Sequence, residues 1–148
     1  MKALLQRVKD ASVRVNDEVV GSIGNGLVVF IGVSRYDTES DACYLARKVT
    51  GLRIFSDRDD RFDLSAIEIG AELLVISQFT LLADTRKGRR PSFIDAAPPV
   101  EAERLFEGFV EAVNATGLRV STGRFRHHMT VQIRNDGPVT VLVDSSDR

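Results

Sequence analysis

Three segments of this 148-residue chain combine residue types that can do chemistry. Ser77-Gln78-Phe79-Thr80 sets three polar side chains around one aromatic, where the apolar run 73–76 gives out. At a strand end leaving a core, backbone N–H groups run out of ladder partners and can face a ligand. A plain strand-to-loop transition, with polar side chains serving backbone groups, accounts for the same residues. Asn135-Asp136-Gly137-Pro138 is the second segment, a turn sequence between two alternating runs. Its Gly-Pro bond favours trans by only about 0.5–1 kcal/mol, so a cis peptide is within easy reach there, although trans is the commoner state. The third is Arg86-Lys87-Gly88-Arg89-Arg90, a basic loop that either meets a polyanion or is merely solvated.

Other chemistries find little footing. Asp57, Asp59, Asp63, Ser65 and Glu68 fall where a calcium loop wants oxygens, but Phe62 stands where glycine is needed and Arg61 puts a cation at a ligand position. His127 and His128 are neighbours that face opposite ways on a strand, so they do not chelate one ion together, and no metal is expected. A Ser-His-Asp triad through either has no support in residue order, because triads are defined by geometry. Gly21, Gly24 and Gly26 precede no helix, so they are taken as turn glycines and not as a phosphate loop. Cys43 is expected to pack beside Ala42 and Leu45 on a helix, with no adjacent cation to activate it.

Composition narrows the setting. A lone cysteine forbids an internal disulfide and fits a reducing, cytoplasmic environment. The longest apolar runs, residues 27–33 and 73–76, are too short to span a bilayer, and residues 1–8 alternate unlike a secretory signal. Twenty basic residues face 21 acidic ones, for a net charge of −1. That balance excludes a protein that grips long duplexes through phosphates alone; nucleic-acid contact must come from a local patch.

The elements that position these segments can be read from hydrophobic periodicity. Leu5, Val8, Val13 and Val15 alternate with polar residues; Asn16-Asp17 is a hairpin turn before Val19-Val20. Gly24-Asn25-Gly26 is a second turn, and residues 27–31 form a strand apolar on both faces, hence mid-sheet. Thr38 and Asp41 predict a capping box opening a helix whose face is Ala42, Leu45, Ala46, Val49 and Leu52. Strand character resumes at Arg53-Ile54-Phe55, a polar loop covers 57–63, and a buried strand runs over 72–79. Pro98-Pro99 opens a second helix with the stripe Leu105, Phe106, Phe109, Val110 and Val113, stopped by Gly117. Met129, Val131 and Ile133, then Val139, Val141 and Val143, mark two closing strands. One α+β domain over residues 1–148, rich in strands and with two helices, is predicted.

Taken in order, short pieces of the chain resemble the bacterial D-aminoacyl-tRNA deacylase family. They are Leu5-Gln6-Arg7-Val8, Ala11-Ser12-Val13, Arg53-Ile54-Phe55-Ser56-Asp57, Ser77-Gln78-Phe79-Thr80-Leu81, Arg90-Pro91-Ser92-Phe93, Thr122-Gly123-Arg124-Phe125 and Asn135-Asp136-Gly137-Pro138-Val139-Thr140. Each is weak alone, but in this sequence, end to end, they are specific. The resemblance implies a homodimer, each subunit a barrel-like mixed sheet carrying two helices, with active sites at the subunit interface. It implies that Ser77, Gln78, Phe79 and Thr80 line the substrate pocket, with Met129 also on the substrate. Gly137 and Pro138, joined by a cis bond, would project their carbonyls into the partner's pocket. The loop 85–90, with Arg86, Lys87, Arg89 and Arg90, and Pro91-Ser92-Phe93 behind it, would lie near the 3′ end of an aminoacylated tRNA. No cofactor, DNA or membrane partner is implied. One departure stands out: between Phe125 and Met129 the family more often has small residues, whereas this chain has Arg126-His127-His128, cations expected to help hold the acceptor end.

The implied reaction is hydrolysis of an activated ester, for which placing a water and stabilising the oxyanion account for much of the rate. Backbone N–H groups of Phe79 and Thr80 are the expected oxyanion hole. Thr80 is a nucleophile by chemistry, but no histidine or lysine is placed to take its proton. The alternative is that the free ribose hydroxyl of the terminal adenosine activates the water while Thr80 only hydrogen-bonds. Rigid main-chain oxygens would reject an L side chain by clash, pass many D-amino acids, and let glycine through. Two rivals remain: a non-catalytic RNA-binding module that stacks bases on Phe79 or Phe93, and an enzyme of the same fold that edits an L-amino acid.

Overall fold

In the computed structural model, which describes residues 1–148, one long strand organises the sheet. Strand β1, Lys2–Val15, hairpins at Asn16 and Asp17, whose φ values of 47° and 65° are those a two-residue turn between twisted strands requires. Strand β2, Glu18–Ile23, returns along β1, and β3, Gly26–Gly32, continues on the same flank, with Ile23 opposite Ala11 and Gly26 opposite Val8. Gly24 and Asn25 therefore bend the chain without reversing it, where a turn was expected. The glycine that matters is Gly26, whose Cβ would lie 1.8 Å from the Glu72 carbonyl oxygen.

Strand β3 is covered on both faces, as its unbroken apolar run predicts. Strand β6, Glu72–Ser77, lies parallel to it, and β7, Val120–Thr122, lies parallel to β6. The sheet then curls back on itself. The Ser121 hydroxyl donates to the Ser22 carbonyl (3.1 Å), and a Cβ on Gly21 would lie 2.7 Å from the Thr122 carbonyl oxygen. The result is a nearly closed, mixed barrel in which β8, Thr130–Asp144, pairs with the other flank of β1 from Arg14 to Lys2.

Two strands were expected at residues 129–143, separated by a turn; the structure has the single strand β8. Gln6 faces Thr140 and Val8 faces Asn135, so five steps on β8 answer two on β1, a bulge of three residues. An odd insertion swaps the faces of a strand. Accordingly Met129, Val131 and Ile133 pack on one apolar cluster with Val13 and Leu74, while Val139, Val141 and Val143 pack on the other, beneath the helices.

That second cluster is the larger core. Helix α1, Glu39–Gly51, starts as predicted: the Asp41 carboxylate accepts from the Thr38 N–H (2.9 Å) and hydroxyl (2.8 Å). Its buried face is Ala42, Leu45, Ala46 and Val49; Cys43, expected to pack, points to solvent instead. Helix α3, Pro99–Asn114, has Pro99 in its first turn and buries Leu105, Phe106, Phe109 and Val113. Full burial of Phe109 alone contributes about 1.5–3 kcal/mol. Two helices were predicted and a third is present. Helix α2, Ala66–Ile69, is capped by reciprocal bonds between Ser65 and Glu68 (2.7 and 3.3 Å) and closed by Gly70 at φ 62°. The loop ahead of it is clasped by the short pair β4, Phe55–Ser56, and β5, Phe62–Leu64.

Candidate active site

Strand β6 ends at Ser77, two residues before the predicted limit, because the chain folds over the end of β3. The Gln78 N–H donates to the Ile31 carbonyl (2.7 Å), and a 3-10 turn, Phe79–Leu82, follows. Gly32 admits that turn: a Cβ there would sit 2.5 Å from a Leu82 methyl and 3.0 Å from the Leu81 Cβ. The first bond of the turn runs from the Leu81 N–H to the Gln78 carbonyl (3.2 Å). The N–H groups of Phe79 and Thr80 precede it and have no carbonyl partner within the turn.

A cavity of about 370 Å³ opens beside this turn. Ile31, Val33, Phe106 and Phe125 form much of its wall, and Ser77 and Arg126 are its only polar or charged side chains. No imidazole, carboxylate or amine lines it. Phe79 stands at its edge, more than half exposed, its ring 4.9 Å from that of Phe93 in an edge-to-face contact. The Gln78 amide donates to the Thr80 hydroxyl, and both side chains lie outside the lining. Thr80 thus receives a proton donor where an activated nucleophile needs a proton acceptor.

The Asn135–Pro138 bulge is built on β1. Its Gly137-Pro138 bond is cis, and Gly137 sits at φ 136°. Asn135 closes it from within, its amide oxygen accepting from the Val139 N–H (2.9 Å) and its NH₂ donating to the Val139 carbonyl (3.2 Å). From below, the buried Arg7 donates to the carbonyls of Asp136 (3.0 Å) and Ile54 (2.8 Å), and its guanidinium lies 5.3 Å from the Phe62 ring centroid. Sequence reasoning missed Arg7 as a site residue. The signal available was an arginine at an inward position of an otherwise alternating strand.

Within one chain, Ser77 and Phe79 meet in the cavity, whereas Gly137 and Pro138 are exposed on the bulge and take no part in its lining. Met129 is elsewhere too, half-buried with its sulfur against Gly123.

The basic loop has a defined base. Asp84 and Ser92 exchange backbone bonds of 2.8 and 2.9 Å, and the Asp84 carboxylate holds the Arg86 guanidinium through two contacts of 2.8 Å. Those side-chain bonds, with the Arg86 N–H, bring the Asp84 pKa down to about 2. Lys87, Arg89 and Arg90 extend beyond that clamp into solvent. No group of three His, Cys, Asp or Glu side chains is assembled for a metal, and no helix is long and apolar enough to cross a membrane.

Comparison with known proteins adds an independent line. The profile of the D-Tyr-tRNA(Tyr) deacylase family matches residues 4–144. A D-aminoacyl-tRNA deacylase of Dehalococcoides mccartyi is 56% identical over 148 residues, 100% of this chain and 97% of that protein. A solved structure named c-Myc DNA Unwinding Element Binding Protein superposes with a TM-score of 0.91 at 38% identity, covering 97% of this chain and 98% of that one. A probable eukaryotic D-amino acid tRNA deacylase shares the fold at 18% identity, with a TM-score of 0.84 over 96% of this chain and 97% of its own.

Proposed function

The chain belongs to the D-aminoacyl-tRNA deacylase family, and on that premise we propose that it clears D-amino acids, and glycine, from tRNA while sparing L-aminoacyl-tRNA. It is a hydrolase of the aminoacyl-tRNA ester bond, releasing the free amino acid and tRNA. The observation that carries the selectivity is the Gly137–Pro138 bulge, fixed from two sides yet exposed and absent from its own chain's cavity. In a homodimer the bulge of one subunit enters the other's pocket. A D-residue then turns only its α-hydrogen toward the carbonyls of Gly137 and Pro138; an L-residue must put its side chain there and clashes. Glycine has nothing to clash and passes. A second copy also gives the open sheet face a cover: Leu142, Leu4 and Phe30 lie side by side across three strands, with Leu142 57% exposed.

The chemistry needs no protein base. The oxyanion sits against the N–H groups of Phe79 and Thr80, Ser77 helps frame the substrate from the cavity wall, and the terminal ribose hydroxyl orients the water. The lack of any imidazole, carboxylate or amine in the cavity lining supports this over a threonine nucleophile. Arg86, Lys87, Arg89 and Arg90 meet the backbone of the tRNA 3′ end. A net charge of −1, with four of the 20 basic residues clustered in one loop, suits a short single-stranded end better than duplex DNA. The setting is the cytoplasm, where aminoacyl-tRNA is used.

The test is turnover by the purified protein of D-Tyr-tRNA, Gly-tRNA and L-Tyr-tRNA, with Thr80→Val alongside. The first two are expected to be hydrolysed and the third spared, with Thr80→Val losing about tenfold or less, as expected for one lost hydrogen bond. Hydrolysis of the L-ester at the D rate would remove the clash mechanism. Near-complete loss in Thr80→Val would return the threonine to a direct role.

A further inference from the structure

Arg126 is the one charged side chain in the cavity lining, and its backbone is in the left-handed region at φ 61°, where a non-glycine residue is disfavoured. Its neighbours are otherwise engaged. Arg124 pairs with Glu18 at 3.5 Å, and the His127 ring lies 3.0 Å from the Phe125 carbonyl through Nδ1. Arg126 enters no ion pair or side-chain hydrogen bond of the chain and is exposed at a cavity that Phe79, Phe106 and Phe125 also line. A strained backbone that carries a guanidinium to the mouth of an aromatic cavity, with no internal partner for it, is arranged for an anion brought by the ligand.

We propose that Arg126 is a positioning residue that takes the phosphodiester on the 5′ side of the terminal nucleoside of the substrate tRNA. That role presupposes the deacylase activity assigned above. A planar guanidinium meets two phosphate oxygens at once, which fixes the orientation of the ribose as well as adding affinity. The apolar wall supplies no competing acceptor, and the exposed rim leaves the phosphate partly in water, so neither charge must be fully desolvated. Arg126 does not touch the ester, so its removal should weaken binding without slowing the bond-breaking step.

Glycine adopts φ 61° freely, so Arg126→Gly removes the cation while leaving the backbone at ease; Arg126→Lys keeps charge without the fork. Steady-state hydrolysis of D-Tyr-tRNA is compared with that of D-tyrosyl-adenosine, which has the ester and nucleoside but no phosphate. For the tRNA ester, Arg126→Gly is expected to raise KM about tenfold with kcat unchanged. The slope of log KM against log salt should fall by about 0.7, the value for one phosphate contact on a single strand. For the adenosine ester nothing should change, and Arg126→Lys should retain the wild-type salt slope. An equal loss on both esters, a fall in kcat, or an unchanged salt slope would overturn the role. Wild-type protein that hydrolyses neither ester would overturn the deacylase assignment itself, and this role with it.

Discussion

The Gly137–Pro138 bulge and the basic loop at residues 86–90 are both exposed, yet they are held in opposite ways. The bulge is flanked by ladder on either side, tied across itself by Asn135 and anchored from beneath by Arg7. The loop is fixed only at its root, by the Asp84–Ser92 pair and the Asp84–Arg86 clamp, and its remaining cations are free in solvent. The difference teaches what each kind of recognition needs. Rejecting an enantiomer by shape requires a backbone that does not yield, because a shift of a fraction of an ångström would admit the wrong side chain. Attracting a polyanion requires only charge and reach, and long flexible side chains supply both.

If that contrast is right, a single methyl group should do more harm in the bulge than the removal of three charges does in the loop. Gly137→Ala puts a Cβ 2.7 Å from a Val139 methyl and 3.1 Å from an Arg7 nitrogen, at φ 136°, where L-residues are strained. A displaced pocket wall of this kind is expected to lower D-Tyr-tRNA hydrolysis about 100-fold, measured as single-turnover deacylation. An activity within threefold of wild type would mean that the bulge is not rigid after all. Replacing Lys87, Arg89 and Arg90 together with alanine should leave kcat alone, raise KM several-fold, and lower the salt slope by about 2 for three phosphate contacts on a single strand. A fall in kcat would make the loop part of the reacting geometry and blur the distinction.

The smallest effect is confined to one carboxyl. Arg86 holds Asp84 at about 2, below its ordinary 3.8, so Arg86→Ala should move the Asp84 midpoint back toward 3.8 in an NMR titration. A depressed carboxylate contributes stability that is present above 3.8 and is lost as pH falls toward 2. The clamp is therefore intact throughout the neutral range, and Asp84 should impart no pH dependence to RNA affinity above about pH 5, beyond both midpoints. A midpoint that stays near 2 without Arg86 would show that the loop's base is held by something other than this pair.

How far each part was legible follows from where its determinants sit. The capping box at Thr38 and Asp41 and the Pro99 start of α3 are local, so the sequence displays them. Helix α2 was equally local, through Ser65, Glu68 and Gly70, but at four residues it is too short for periodicity to show. The bulge was read as a turn between two strands because Asn, Asp, Gly and Pro are turn formers; only the pairing with β1 on both sides keeps the chain running forward there. Arg7 was overlooked for the same reason, since its two carbonyl partners lie 47 and 129 residues away. Spacing placed the buried face of α1 correctly at Ala42, Leu45, Ala46 and Val49; Cys43 was misjudged because it neighbours that stripe without belonging to it.

The pairing of β1 with β8 also governs when this molecule can come into being. Between Val15 and Thr130, 114 positions (16–129) must be synthesised before the first strand meets its longest partner. Such distant contacts make for slow folding, and a nascent strand edge left waiting is prone to pair with the wrong chain. The same ladder that steadies the bulge therefore leaves one edge of β1 without its partner until the last strand has emerged, while β2 and β3 cover the other edge early.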